Sequence, residues 1–204
     1  MNNEYYQLAL NEALLGINDQ SGQGDWTALH GASIAERSVW FQFTLSNTDY
    51  MGAGELLVDM LNKDNDGRLN IYFLSSGTSG VVGVSPGDSL QNASMLNITG
   101  HYGMTWEPEF VSWYENSFIM AECYYKLGDE GLALTKLNET LDGIEQRWRG
   151  LGYASVSIPR YNDISGEYLL KAIMNEKYKA LFLNIQSWSD WRRTNFPTFV
   201  DSND

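Results

Sequence analysis

The chain has 204 residues and a formal net charge of -13, with 13 lysines and arginines against 26 aspartates and glutamates. Such an acidic protein is not expected to bind nucleic acid, because phosphate binding needs a basic surface. The single cysteine, Cys123, excludes an internal disulfide bond, and two histidines are too few for a typical catalytic zinc cluster. We therefore expect no metal and no other cofactor, and a neutral ligand fits the composition best.

The N-terminal part of the chain predicts short elements separated by turns. A helix is predicted from Glu4 to Ile17, with its apolar residues on one face, and we expect its packing partner to lie upstream in a longer protein. Turn-forming residues follow it, so Trp26 is predicted to lie in or beside a loop. Val39 to Leu45 alternates in hydrophobicity and predicts a strand, and Gly54 to Leu61 predicts a short helix.

Residues 62–69 resemble the first half of an EF-hand calcium loop, because oxygen-bearing side chains alternate along them before Gly67. The second half does not match. Phe73 occupies the twelfth position, where a bidentate glutamate is needed, and no second helix is predicted after it. The sequence therefore leaves calcium binding by the loop from Asn62 to Asp66 open.

A Gly- and Ser-rich segment over residues 75–87 contains the pattern GxSxG, which is typical of the nucleophile elbow of serine hydrolases. In that elbow the residue after the serine donates an oxyanion-hole amide. Pro86 occupies that position here, and proline has no amide hydrogen to donate. We therefore predict no catalytic residue in this segment.

The long loop continues to Glu109, and a connection of this length is usually functional. Its aromatic side chains have no periodicity that would bury them, so they can offer flat apolar faces to sugar rings. The alternative is that an aromatic residue such as Trp106 simply anchors the loop on the core. The predicted ligand contacts are Trp26, Tyr102 and Trp106, with His101 as a hydrogen-bond partner.

The segment from Ser112 to Trp148 predicts two antiparallel helices joined by a tight turn at Gly128 and Asp129. Its small residues at close-packing positions match the tetratricopeptide pattern. One full copy of the repeat is evident in the sequence. Because a single repeat cannot bury its own faces, we expect neighbouring helices to cover it.

A long C-terminal core helix is predicted from Ser165 to Arg193, with Ser165 as its N-cap. Its apolar stripe is wide, and Tyr178, Leu181 and Ile185 are predicted to be buried in it. On pattern alone, this is a central core helix that carries no chemistry.

The end of the predicted helix and the residues after it read WSDWRRTNFP over residues 188–197. Guanidinium groups stacked on indoles, together with a carboxylate pair, would lock such a helix end without binding a ligand. We expect Arg192 or Arg193 to pair with an acidic residue on a neighbouring helix, either Glu122 or Glu176.

This WxDWRRTxxP string resembles the C-terminal signature of the SusD/RagB-like family. The resemblance runs from about Val39 to Pro197 and is strongest after Phe110. It implies a mainly α fold with tetratricopeptide-like helix pairs, long loops and minor β, as in the C-terminal part of a SusD-like fold. Residues 1–204 are then expected to form a single such region, with the helical pair at 112–148 and the C-terminal core helix at 165–193.

The resemblance also implies a function, because proteins of this family are cell-surface lipoproteins that bind glycans or peptides and cap a TonB-dependent transporter. We expect a non-catalytic, oligosaccharide-binding subunit of a TonB-dependent nutrient uptake system, with a SusC-like outer-membrane transporter as its partner. Family members are more than twice this long and begin with an export signal and a lipid-bearing cysteine. This chain shows neither, so we expect a fragment of a surface-exposed outer-membrane lipoprotein.

Two other functions are considered. A glycoside hydrolase is suggested by Glu107 and Glu109 beside Trp106, but catalytic carboxylates must flank one bond at about 5 to 9.5 Å. Two carboxylates this close in an irregular segment give no reason to expect that geometry. A tetratricopeptide scaffold for peptides would need several repeats, and the sequence shows one.

Overall fold

The structure is a computed structural model that describes residues 3–48 and 50–199. These residues form eight α-helices and two short strands that pair with each other, so the predicted mainly α fold with minor β is confirmed. No helix in the described part of the chain is both long and apolar enough to span a bilayer. The elements are α1 (Asn3–Leu15), β1 (Trp26–Thr27), α2 (Val39–Ser46), α3 (Glu55–Lys63), α4 (Leu69–Tyr72), β2 (Glu109–Val111), α5 (Trp113–Leu127), α6 (Glu130–Gly150), α7 (Gly166–Ala180) and α8 (Gln186–Thr194).

The backbone contacts divide the chain into two compact units. The helical unit contains residues 3–26, 109–151 and 160–199, and therefore α1 and α5 to α8. The loop unit contains residues 27–48, 50–108 and 152–159, and therefore α2, α3 and α4. The expectation of a single SusD-like region over residues 1–204 stays a prediction.

The helices α5 and α6 form the antiparallel pair that the sequence predicts. The side chains of Ser112 and Asp129 cap the two helices by accepting hydrogen bonds from first-turn amides at 3.2 and 3.1 Å. Gly128, at a φ of 90°, ends α5 in the left-handed conformation that glycine adopts without strain. Ala121 and Ala133 have no exposed surface, in keeping with the small residues of a tetratricopeptide-like pair.

Helix α1 finds its packing partner within this chain, on α5. Leu10 and Ala13 of α1 form a buried cluster with Met120 and Cys123 of α5. Asn116 of α5 donates a hydrogen bond to the carbonyl of Ala13 at 2.8 Å and so fixes the end of α1. The buried face of α1 therefore does not need the upstream partner that the sequence analysis expects. Burial also raises the pKa of the Cys123 thiol to about 11, which makes this cysteine unreactive near neutral pH.

The predicted strand from Val39 to Leu45 is wrong, because this segment forms α2. A strand needs a neighbouring strand to accept its backbone hydrogen bonds, and no described segment pairs with it. A helix satisfies the backbone amides and carbonyls within the segment itself. For example, the backbone amide of Gln42 donates to the carbonyl of Ser38 at 3.0 Å. Within α2, the side chain of Thr44 is buried, whereas Val39 is 69% exposed.

The long C-terminal helix of the sequence analysis is two helices, α7 and α8, with a break after Leu181. Leu183 adopts a φ of 66°, which an α-helix cannot accommodate. The side chain of Asn184 accepts a hydrogen bond from the amide of Gln186 at 2.9 Å and so competes with the helical pattern. Ile185, predicted to be buried, is 74% exposed in this break, whereas Leu181 is 1% exposed as predicted.

Helix α7 carries charged residues on its buried face. Glu176 and Lys179 have no more than 1% of their side chains exposed, and they form an ion pair of 2.5 Å. The hydroxyl of Tyr161 donates to the same Glu176 carboxylate at 2.7 Å. These contacts fix the rotation of α7, because turning it would leave a buried charge unpaired.

Helix α8 is held by Arg193. This residue donates to the carboxylate of Glu122 on α5, at 2.6 Å for the Nη2–Oε2 contact, and to Asp190 one turn before it at 2.5 Å. Lys177 of α7 contacts the other oxygen of Asp190 at 2.7 Å. The expected pairing of an arginine in the WSDWRR stretch with Glu122 is confirmed.

Replacing Leu181 with alanine should lower the free energy of unfolding by roughly 2 to 5 kcal/mol, because it removes buried methyl groups and leaves a cavity. The matched control is Ile185→Ala four residues later, which should change the free energy by less than about 0.5 kcal/mol since this side chain is exposed. Urea unfolding of both variants measures the difference. Equal losses in the two variants would contradict the position of the helix break.

Candidate functional site

The turn at residues 66–68 is a buried anchor of the loop unit. Asp66 and Arg68 form an ion pair in which Nη2 lies 2.5 Å from Oδ2, and neither side chain is exposed. Arg68 Nε also donates to both carboxylate oxygens, at 2.9 and 3.1 Å. Because the guanidinium engages both oxygens, Asp66 is a poor calcium ligand. Within residues 3–48 and 50–199, no group of three His, Cys, Asp or Glu side chains is arranged to hold a metal ion.

Gly67, at the centre of this turn, brings a second segment of the loop unit into place. Its amide donates to the carbonyl of Ser157 at 2.8 Å, and a Cβ at this position would lie 2.8 Å from the backbone nitrogen of Ser157. A glycine is therefore needed for the close approach of residues 152–159. This segment carries Tyr153.

The short helix α4, which the sequence analysis does not predict, follows the turn and supports the long loop. The carbonyl of Tyr72 accepts from the amide of Asn97 at 2.9 Å, and the carbonyl of Asn97 accepts from the amide of Tyr102 at 3.1 Å. The rings of Tyr72 and Tyr102 meet edge to face, with centroids 6.1 Å apart. These contacts with Asn97 and Tyr72 fix both the backbone and the ring of Tyr102.

Four aromatic residues of the loop unit meet at this point, and we call them the aromatic cluster: His101, Tyr102, Trp106 and Tyr153. Tyr102 is 3% exposed and lies in the middle, 4.8 Å from the ring of His101 and 4.6 Å from that of Trp106 between centroids. His101 lies 6.1 Å from Trp106 and 6.5 Å from Tyr153. The three outer rings are half-buried. The structure therefore brings together three of the four residues that the sequence analysis nominates.

The burial of Tyr102 changes the role that this residue has in the candidate site. Tyr102 is predicted from the sequence as a ligand contact, but its ring is covered by its aromatic neighbours. Tyr102 is therefore better described as the support on which His101 and Trp106 rest.

Polar groups accompany these rings. The indole nitrogen of Trp106 is buried and has no hydrogen-bond acceptor among the described residues. Burial raises the pKa of the Tyr153 hydroxyl, and a hydrogen bond with the backbone of His101 opposes this shift. Tyr153 therefore stays neutral at physiological pH and can both donate and accept.

The fourth nominated residue, Trp26, belongs to the helical unit. Its side chain is 65% exposed and packs on Phe110, with ring centroids 5.4 Å apart. The residue before it, Asp25, accepts from the amide of Trp113 at 2.7 Å and from Arg147 at 2.7 Å. Trp26 therefore presents an open aromatic face from an anchored strand.

The two glutamates considered for hydrolysis have structural partners. Glu109 forms an ion pair with Arg147 at 2.6 Å. Glu107 is exposed and accepts a hydrogen bond from the hydroxyl of Thr27 at 3.3 Å. A carboxylate that is engaged by a guanidinium, as Glu109 is, is poorly placed to donate a proton to a substrate as a general acid.

Comparison with known proteins identifies the family. Residues 11–204 match the family model SusD-like_2, described as starch-binding and associating with the outer membrane. The chain belongs to this SusD-like family. The resemblance carried by the WSDWRR stretch is therefore confirmed.

Solved structures show the same fold. A SusD homologue from Bacteroides vulgatus ATCC 8482 is 19% identical, with a TM-score of 0.70 over 95% of this chain and 47% of its own. One from Bacteroides fragilis NCTC 9343 is 16% identical, with a TM-score of 0.65 over 87% of this chain and 46% of its own. A chitin-binding protein is 20% identical, with a TM-score of 0.61 over 78% of this chain and 41% of its own. This SusD-like chain thus spans about half the length of the solved structures it matches, or less. None of the curated proteins matches it significantly.

Replacing Gly67 with alanine should lower the free energy of unfolding by roughly 1 to 3 kcal/mol, because the new Cβ meets backbone and Val156. It should also shift the imidazole NMR signals of His101, since residues 152–159 carry Tyr153. The control is Gly131→Ala, where the added Cβ would meet Asp129 alone, at 3.9 Å. An unchanged stability and an unchanged His101 spectrum in Gly67→Ala would contradict the role given to this turn.

Proposed function

We propose that this SusD-like chain binds glycans without catalysing their cleavage, and that the aromatic cluster is part of its binding site. The observation that supports this proposal is that the half-buried rings of His101 and Trp106 pack on the buried ring of Tyr102. The half-buried ring of Tyr153 lies beside His101. Three of its four residues lie in one long loop and Tyr153 lies in another, and loops are the segments in which binding residues are concentrated.

The chemistry of the cluster suits a saccharide. Aromatic rings offer apolar faces to the C–H face of a sugar ring, and a few polar groups fix its orientation. His101 and the Tyr153 hydroxyl can exchange hydrogen bonds with sugar hydroxyls. The indole N–H of Trp106 has no acceptor among the described residues, and a bound hydroxyl or an ordered water would satisfy it.

Trp26, in the helical unit, is proposed as a separate sugar contact. Its exposed ring offers a flat apolar face of the kind that stacks on a sugar ring, and it packs on Phe110 at a centroid distance of 5.4 Å. The description of the family as starch-binding and the chitin-binding structural relative both support a polysaccharide as the ligand class.

The proposed setting is nutrient uptake at the outer membrane. The family description names association with the outer membrane, and the proposed partner is a TonB-dependent, SusC-like transporter. Co-purification of the native lipoprotein with such a transporter would support this setting. Recovery of the native protein alone, under conditions that retain other outer-membrane complexes, would contradict it.

Hydrolysis is the alternative that the carboxylates suggest, although the ion pair of Glu109 argues against it. Incubation with amylose and chitin oligomers should release no reducing sugar. A rate of release that falls in a Glu107→Gln variant would instead establish an enzyme. A peptide-binding scaffold is the remaining alternative, and calorimetry with a mixed peptide library would reveal it.

Replacing Trp106 with alanine should weaken binding of the cognate oligosaccharide by at least about tenfold, which corresponds to about 1.4 kcal/mol. Isothermal titration with maltohexaose and chitohexaose measures the affinity, and His101→Ala should weaken it in the same direction. Trp188→Ala is the matched control, because Trp188 is 54% exposed but stacks on Trp191 and is not among the proposed ligand contacts. The Trp188→Ala variant should bind the oligosaccharide with the affinity of the unmodified protein.

Thermal unfolding of each variant separates a lost contact from a damaged fold. The proposal is supported if Trp106→Ala loses affinity while its melting temperature stays within a few degrees of the unmodified protein. Unchanged affinity in Trp106→Ala, His101→Ala and Trp26→Ala alike would contradict it.

A further inference from the structure

A groove of about 510 Å³ lies on the helical unit, where the loop after α1 approaches the C-terminal half of α6. Its volume falls in the range of small-ligand sites. The glutamates and aromatic rings discussed above do not line it. The groove is lined by Gln20 and Ser21 of the loop, by Gly143, Gln146, Arg147 and Gly150 of α6, and by Leu151 directly after α6.

The wall of the groove is rigid because Arg147 is fixed at both ends of its guanidinium. Nη1 lies 2.7 Å from Asp25 and Nη2 lies 2.6 Å from Glu109. The Asp25 carboxylate is fully buried, and its second oxygen accepts from the amide of Trp113. One guanidinium thus faces two carboxylates, which disfavours an anionic ligand at this wall.

Two glycines of α6 line the groove and shape it in different ways. A Cβ on Gly143 would lie 2.6 Å from the ring of Trp113 and 3.0 Å from Oε1 of Gln20, so this glycine lets the loop approach the helix. A Cβ on Gly150 would meet nothing within 4 Å. The missing side chain of Gly150 therefore leaves open space in the groove without any packing reason for a glycine.

The free polar groups of the groove are amides. Gln20 and Gln146 are both exposed, and their side-chain amides make no hydrogen bond to another described residue. Each primary amide donates and accepts, and this combination matches the neighbouring hydroxyls of a sugar, which also do both. A neutral polyhydroxyl ligand meets these requirements better than a phosphate or an apolar molecule.

We propose that this groove is a second saccharide subsite, separate in sequence and in compact unit from the aromatic cluster. The inference rests on the proposed function for the class of its ligand. In this subsite, Gln20 and Gln146 form the hydrogen bonds to the sugar. The absence of a side chain at Gly150 leaves room for the sugar ring.

The proposal is tested by filling the groove with a side chain. Gly150→Leu places a side chain in open space at the end of α6, so the fold should tolerate it while the subsite closes. Gly131→Leu is the matched control, because it adds the same side chain to the same helix at an exposed position far along the chain from the groove. Titration with maltohexaose and chitohexaose, followed by NMR, reports on both sites at once.

In the unmodified protein, saturable shifts are expected in the side-chain amide signals of Gln20 and Gln146. The apparent affinity measured from these shifts should fall at least about tenfold in Gly150→Leu and should be unchanged in Gly131→Leu. Shifts confined to Trp106 and its neighbours would overturn the subsite while leaving the proposed function intact. Shifts in neither place with either oligosaccharide would overturn both. Shifts in the groove that survive Gly150→Leu would also overturn the subsite.

Discussion

The helical unit depends on one ion network that joins three helices. Arg193 of α8 pairs with Glu122 of α5 and with Asp190, and Lys177 of α7 contacts Asp190 from the other side. Glu122, Lys177 and Asp190 are buried, so each charge needs the others. Burial alone would lower the pKa of Arg193, but Glu122 and Asp190 raise it, so the guanidinium stays charged at neutral pH. The family signature in this stretch thus has a structural role.

Much of the helical unit is predictable from local sequence. The caps Ser112 and Asp129 and the turn glycine Gly128 act within a few residues of their own positions, so pattern analysis finds α5 and α6. The failures involve non-local constraints. Alternating hydrophobicity from Val39 to Leu45 predicts a strand, but a strand also needs a partner that local sequence does not reveal. The break after Leu181 depends in part on Asn184, whose side chain donates to the carbonyl of Glu109 at 3.0 Å, 75 residues away.

The candidate site is predictable to a similar extent and for similar reasons. His101, Tyr102 and Trp106 are close in sequence and occur in a loop, so composition is enough to nominate them. Tyr153 comes from a distant segment, placed by the contact of Gly67 with Ser157, and no local pattern indicates it. Its neighbouring glycine and the long loop around it are the sole sequence signals that could have found it. The burial of Tyr102 likewise depends on Tyr72, which lies in a short helix that periodicity does not detect.

The structural role of the WSDWRR stretch is tested most directly by a double-mutant cycle between Arg193 and Glu122. Urea unfolding of Arg193→Met, Glu122→Gln and the double variant gives the coupling free energy between the two side chains. A coupling of about 1 to 3 kcal/mol is expected, since Glu122 is buried and the pair joins two helices. A coupling below about 0.3 kcal/mol, with the single variants as stable as the unmodified protein, would contradict this account of the fold.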